Sequence, residues 1–448
     1  MQQFNQLGEK IEEIWRDKNY DEEIFPSIAK KGLAEAELPE KVTAWEVMDW
    51  TLSQTNLPEQ KDLPGRFGDP PITIYNSPRF HIDVYFWLEG TTSIHQHAFC
   101  GAFQVLHGSS IHSWYDFETS NKINTFTKVG EMKLKVCQIL EVGDIQEIWA
   151  GTAYIHGLFH LEQPSATIVV RTHKSPLHLP QYNYHKPNFA IDPFFDEANT
   201  IKKLQCITAL IRSKHPDTDK YIKDLLSKSD AQTTFQIIST VRGYLQHNQI
   251  DKMFNLDTPK NRLEEFFGVI RKRHGDFADV LIKTFQYQER IGEIINRRNY
   301  ITEPEHRFFL ALLMNVEGKE LIFSLVKEKF PEADPLDKIL DWVYDLSQTR
   351  VLGLNVPNAL GIENFDDFDL FILECFLKDM SDNELEEALR AEYPSENAEE
   401  LLKNIEARKE KIRNALIFYP LLHNSEQSLP ANKREKTRKE EKEFAKVK

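Results

Sequence analysis

The chain has 448 residues, 41% of them apolar and 11% aromatic, so it can build two or three domains with a large core and is too apolar to be disordered over most of its length. Its formal net charge of −15 argues against a surface coated for nucleic acid. No apolar run approaches a membrane span, the acidic start MQQFNQLGEKIEEIW is not a secretion signal, and the scattered cysteines Cys100, Cys137, Cys206 and Cys375 form no CxxC, so a reducing, cytoplasmic setting is expected.

Residues 1–60 read as helical. Phe4, Leu7, Ile11, Ile14 and Trp15 recur at helical spacing, and Thr43-x-x-Glu46 has the form of a capping box. The Pro- and Gly-rich stretch 57–71 reads as a linker or long loop. From 72 to about 175, ITIY, FHIDVYFWL, GAFQVL, KLKVCQIL and ATIVVRT are short β-branched and aromatic runs punctuated by Gly90, Gly108, Gly130, Gly143 and Gly151. Such runs predict a β-sandwich or small barrel. The segment 173–189, HKSPLHLPQYNYHKPNF, is expected to run over the barrel as a wall.

Beyond about 190 the texture is helical again. Asp334-Pro335 has the form of an N-cap with proline at the first helical position, and Ser381-x-x-Glu384 opens another helix. The expected class is α+β multidomain. A helical segment (1–60) precedes a β-barrel (61–185), an all-α domain (186–430) and a charged tail (431–448) whose eight Lys/Arg are interleaved with four Glu.

Within the barrel region, SIHQHAFCGAF places His95 and His97 at i and i+2, on one face of a strand. A lone buried histidine is ordinarily satisfied by hydrogen bonds. Two on one buried face are costly to desolvate unless something uses their nitrogens, and a divalent metal does so. The third ligand is sought in GDIQEIWAGTAYIHGLFHLEQPSATIVVRTH (143–173), where His156 and His160 share strand parity ahead of a hairpin turn near 162–165.

These residues resemble the two motifs of the cupins. The first is matched by Gly90, His95, His97 and Gly108, with Gly101 about where that motif carries glutamate. The second is matched by Gly143, Trp149-Ala150-Gly151, His156 and His160, with two extra residues before His156 and His160 in place of asparagine. Within the cupins the likeness is to cysteine dioxygenase and related thiol dioxygenases, over residues 72–176. It implies a double-stranded β-helix (jelly roll) and a mononuclear Fe(II) site of three histidines without a carboxylate, with Zn, Ni, Mn or Cu as alternative metals. It also implies an oxidoreductase, a dioxygenase acting on a small anionic substrate.

On this reading His95, His97 and His156 hold the metal, with His160 as the alternative third ligand. His160 is otherwise expected to face the substrate, because a metal at its level would lie too near the turn at Pro164. Arg171 and His173 fall where that family carries a catalytic series, and Arg171 either meets a substrate carboxylate or closes a barrel-end salt bridge. The tyrosine which that family uses beside the metal is missing from this series. Arg79 is the nearest match to that family's substrate-binding arginine. The implied partners are a small-molecule substrate and dioxygen, with no membrane or nucleic acid, and a homodimer through the helical domain fits the same picture. The other readings are a non-catalytic, regulatory cupin whose helical domain docks a partner, and a metal-dependent isomerase or hydrolase on the same site.

Overall fold

The computed structural model describes residues 1–63, 68–88, 93–195, 197–247, 259–351, 356–393 and 395–423. Gly90 and the tail 431–448 lie outside the described residues.

Four helices open the chain: α1 (Gln2–Asp17), α2 (Phe25–Ala36), α3 (Leu38–Lys41) and α4 (Ala44–Ser53). The capping box starts α4, with Thr43 Oγ1 accepting from the Glu46 N–H and Glu46 accepting from the Thr43 N–H. Phe4, Leu7, Ile11 and Trp15 are buried along one stripe of α1, while Ile14 lies at its edge.

Eleven strands follow among the described residues: β1 (Pro71–Asn76), β2 (Phe80–Trp87), β3 (Ile94–His97), β4 (Gly101–His107), β5 (Ser110–Asn124), β6 (Thr127–Leu140), β7 (Ile145–Ile148), β8 (Gly151–His160), β9 (Ser165–Thr172), β10 (Asn183–His185) and β11 (Phe189–Ile191). They form a five-stranded sheet, β1-β2-β9-β4-β7, and a ring, β10-β11-β6-β5-β8-β3, that closes through β3 and β10. Every named pairing is antiparallel. The barrel is followed by an all-α region, in agreement with the expected fold class.

Strand alternation sorts the side chains of the five-stranded sheet. Phe80, Ile82, Val84 and Phe86 of β2, with Ala166, Ile168 and Val170 of β9, pack outward under α1 and α2. Tyr85, Phe103 and Val169 point the other way and meet Tyr154 and Leu158 of β8, so a second core lies between sheet and ring. A third, containing Tyr115, Met132, Ile155, Tyr182 and Tyr184, belongs to the ring strands.

Four expectations change. The turn after His160 is present, but β8 and β9 are not a hairpin: β8 pairs with β3 and β5, whereas β9 pairs with β2 and β4, so the chain crosses from ring to sheet. The segment 173–189 is more than a covering wall. It supplies β10 and the start of β11, because Tyr182 and Tyr184 bury their rings and the Tyr184 hydroxyl donates to Gln96 Oε1. The barrel therefore runs to Ile191, past the expected boundary at 185. Strand β5 is absent from the strands read in the sequence, since its outer half is polar and exposed and is held by pairing with β6.

The helical region comprises α5 (Ala198–Arg212), α6 (Thr218–Leu226), α7 (Ala231–His247), α8 (Pro259–His274), α9 (Phe277–Arg298), α10 (Pro304–Asn315), α11 (Lys319–Lys329), α12 (Pro335–Gln348), α13 (Asp367–Leu377), α14 (Asp382–Glu392), α15 (Ser395–Arg413) and α16 (Tyr419–Leu422). Asp334 caps α12 by accepting from Leu336 and Asp337, and Ser381 caps α14 with Glu384. Its core is continuous with the barrel, because Phe308, Phe309 and Leu312 of α10 share a cluster with Ile111, Ile139 and Phe159. Arg298, at the end of α9, donates to the carbonyls of His160 and Leu161, both at 3.2 Å. No helix among the described residues is long and apolar enough to cross a membrane.

Candidate metal centre

The site begins with β3. Its four residues alternate, so Gln96 turns toward Tyr184 while His95 and His97 turn together toward the five-stranded sheet. β8 brings the third ring. His156 stands directly opposite His95, and on its other side it is opposite Trp114 of β5. The β3–β8 register slips between His95 and His97, whose partner is Gly151 rather than Tyr154. Between those two pairs β3 advances two residues and β8 five, so β8 carries three extra residues there. Gly151 suits the slip, because its φ of +69° is strained for any residue with a side chain.

The ligand atoms of His95, His97 and His156 all lie within 4.8 Å of one another, and all three residues are buried. His97 Nε2 is 2.8 Å from His156 Nε2. His95 Nδ1 lies 2.7 Å from the carbonyl of Ser93, which can only accept, so Nδ1 carries the proton and Nε2 is the lone-pair nitrogen. Burial pushes all three rings below the usual imidazole range, and for His97 and His156 the neighbouring His95 adds to it. Three neutral imidazoles result. Nitrogens bound to one ion at about 2.0–2.2 Å and at right angles stand ~3 Å apart, so the His97–His156 spacing suits a shared ion. The Nδ1 atoms of His97 and His156 are buried without a partner.

Over the rings lies a cavity of about 50 Å³ lined by Tyr85, Phe99, Phe103, Leu158, Val169 and Arg171, among others. It is far smaller than the 300 Å³ or more typical of sites for drug-sized ligands, yet roomier than the ~15 Å³ that one water needs. Arg171 Nε donates to His81 Nε2 at 3.0 Å, and its guanidinium lies 4.1 Å over the Phe99 ring. Its two terminal NH2 groups make no hydrogen bond among the described residues. Asp83 accepts from Thr73 Oγ1 at 2.8 Å and from the Tyr85 hydroxyl at 3.1 Å. Burial pushes the Asp83 carboxyl up, but His81, Arg171 and Thr73 outweigh it and hold it below its ordinary value.

The other sequence candidates lie elsewhere. His160 is not part of the three-ring cluster. It is four residues along β8, roughly 13 Å at strand rise, opposite Ser110, with Nδ1 2.7 Å from Ser165 Oγ and its ring stacked on Trp87 at 4.6 Å. As an alternative third ligand it is therefore set aside, and it does not line the cavity. His173 does not line it either. Its ring stacks on His81 and its Nε2 meets the Ser77 carbonyl at 3.1 Å. Arg79 is exposed, with its guanidinium 4.0 Å over the ring of Tyr20 in the connection between α1 and α2. Arg171 forms no ion pair within 4 Å among the described residues, so the barrel-end salt bridge is not made. Cys100 is buried with its thiol pushed up to about 11 by burial.

Two residues were missed by sequence reasoning, Asp83 and Tyr85, whereas His112, expected to be an ordinary barrel or loop histidine, stays outside the three-ring cluster. The signal for Asp83 and Tyr85 was the alternation in FHIDVYFW, which sets His81, Asp83, Tyr85 and Trp87 on one face. His112 Nε2 lies 3.0 Å from the Tyr154 hydroxyl, and its ring lies 5.5 Å from that of His156. Gly101 has a backbone reason to lack a carboxylate, since a Cβ there would come 2.0 Å from the Val170 carbonyl oxygen.

No family model and no curated protein matches the chain. Among solved structures, TT1209 from Thermus thermophilus is 22% identical and covers 26% of this chain and 97% of its own, with a TM-score of 0.17. An uncharacterized conserved protein with a double-stranded beta-helix domain from Klebsiella pneumoniae is 14% identical over 30% of this chain and 98% of its own, with a TM-score of 0.17. Peruvianin-I, a cysteine peptidase from Thevetia peruviana latex, is 15% identical over 31% and 79%, with a TM-score of 0.19. Scores this low carry no argument, and the fold rests on the strand pairing itself.

Proposed function

We propose that the chain is a metal-dependent cupin with a mononuclear three-histidine centre, acting as an Fe(II) dioxygenase of the thiol-dioxygenase type on a small anionic substrate. The carrying observation is the convergence of three buried, neutral imidazoles under a small, mostly apolar cavity. His95, His97 and His156 would hold the ion. A ferrous ion there would supply activation of dioxygen and of a substrate atom bound to it.

The remaining roles belong to the chain's own side chains. Phe99, Phe103, Leu158 and Val169 exclude bulk water, which strengthens every charge interaction inside. The terminal NH2 groups of Arg171 offer a fork for a carboxylate at the cavity wall. The Tyr85 hydroxyl, oriented by Asp83, can hold a proton at the same wall. The cavity volume limits the substrate to a handful of heavy atoms.

The test is elemental analysis of protein purified without chelators, followed by oxygen uptake with small thiols and small carboxylates. Stoichiometric iron with substrate-dependent uptake supports the reading. A metal-loaded chain that consumes no oxygen with either class refutes the dioxygenase and favours a regulatory cupin.

A further inference from the structure

A second cavity, far larger, opens between the ring and the helical region. It measures about 1070 Å³ and is lined by Tyr115 and Met132 of the ring, Lys186 between β10 and β11, Tyr287 and Arg290 of α9, and Glu317, among others. It lies on the other side of β5 from the histidines, since Tyr115 belongs to the Ile155 cluster and Trp114 to the cluster beside His156.

Its charges sort by depth. Glu118, Glu131, Glu289 and Lys283 are exposed at the rim, the first two each 3.4 Å from Lys133. Below them Lys186 and Arg290 are withdrawn from solvent, with side chains only 11% and 5% exposed. They share one carboxylate. Lys186 Nζ is 3.5 Å from Glu317 Oε1, and Arg290 Nη2 is 3.8 Å from the same oxygen. The first distance is at the limit of a hydrogen bond and the second is beyond it. Arg290 Nη1 is used by the Leu313 carbonyl, but Nη2 is buried with no hydrogen-bond partner.

Aromatic faces take up part of the charge: the Lys186 ammonium lies 5.2 Å from the Tyr115 ring centre, and the Arg290 guanidinium lies 4.9 Å from that of Tyr287. A ring face gives no lone pair to an N–H. Two desolvated cations against one carboxylate leave one positive charge and several donors unanswered, an arrangement that is costly unless an anion answers it.

We propose that this cleft is a binding site for an oxyanion-bearing small molecule, a phosphate monoester or a carboxylate, whose anionic group lies between Lys186 and Arg290. The aromatic floor of Tyr115 and Tyr287 faces the rest of the ligand. Glu317 competes with the ligand for the two cations.

That competition provides a test with opposite signs. The full chain is titrated calorimetrically with inorganic phosphate and, separately, with succinate, against chloride at matched ionic strength. At least one oxyanion is expected to bind saturably with one site per chain. Lys186→Gln is expected to weaken it about tenfold or more, and Glu317→Gln to tighten it. Response to phosphate alone marks a phosphoryl ligand, and response to succinate alone a carboxylate. Absence of saturable binding for both probes, or binding indifferent to both substitutions, overturns the proposal. If Lys186→Gln does not fold, Glu317→Gln decides alone, because unchanged or weaker binding refutes the competition. No metal is needed for the titration, so its failure leaves the three-histidine reading intact.

Discussion

His97 and His156, 59 residues apart in the chain, face each other Nε2 to Nε2 at 2.8 Å. With His95 at the third corner, the ring pushes three lone-pair donors into one dry volume. Each histidine of the cluster should therefore be indispensable to metal. His95→Ala, His97→Ala and His156→Ala should each lower metal affinity by more than the ~100-fold that supporting residues account for. Elemental analysis after gel filtration measures it. Full metal content in any one variant refutes the assignment.

His160→Ala separates position from residue type. It removes the stack on Trp87 and the contact with Ser165 Oγ, so a stability loss of about 2–4 kcal/mol is expected with metal content unchanged. Denaturant unfolding and elemental analysis on the same sample check both halves. Loss of metal from a folded variant would restore His160 as a ligand.

Gly101→Ala should destabilise the barrel by about 3 kcal/mol or more. The new Cβ would meet the Val170 carbonyl oxygen at the first pair of the β4–β9 ladder, where β4 also pairs with β7, so neither backbone can retreat without breaking pairs. A denaturation midpoint equal to that of the parent chain would show that the strands separate freely.

Acid stability should reflect buried neutral histidines. Burial lowers His185 from 6.5 to about 4, and His160 to about 3. Below pH 6.5 the unfolded chain takes up protons that the folded chain refuses. Stability should therefore fall as pH drops from about 6.5 toward 4, by up to about 1.4 kcal/mol per pH unit for each such ring. His185→Gln should flatten that slope, followed by urea unfolding at several pH values. An unchanged slope would mean that the ring is protonated in the folded state.

Arg298→Ala should loosen the join between the helices and the barrel. It leaves the His160 and Leu161 carbonyls unanswered and removes the cation 4.4 Å over Phe159, for a loss of about 2–4 kcal/mol. Hydrogen exchange at 158–166 reports on it. Protection equal to that of the parent chain would show that the turn is held by other contacts.

Local rules were legible in the sequence. The capping pairs Thr43–Glu46 and Ser381–Glu384, the Asp334-Pro335 start and the apolar stripe of α1 each depend on residues within about a turn of one another, so their spacing already specifies the structure. The same holds for the shared face of His95 and His97, which follows from strand period alone. Which downstream histidine joins them does not follow from period, since His156 and His160 have the same parity. The β3–β8 register settles it, by setting His156 against His95 and the Gly151 slip beside His97. The crossing of β8 to β9 between ring and sheet, and the strands made from Tyr184 and Phe189, were likewise invisible. Each is stabilised by partners from about 40 to about 90 residues away, and strand pairing at that range is decided by which faces can be buried together. The cleft at Lys186 and Arg290 lies furthest from the sequence's reach: two cations about a hundred residues apart become neighbours only when α9 docks on the ring.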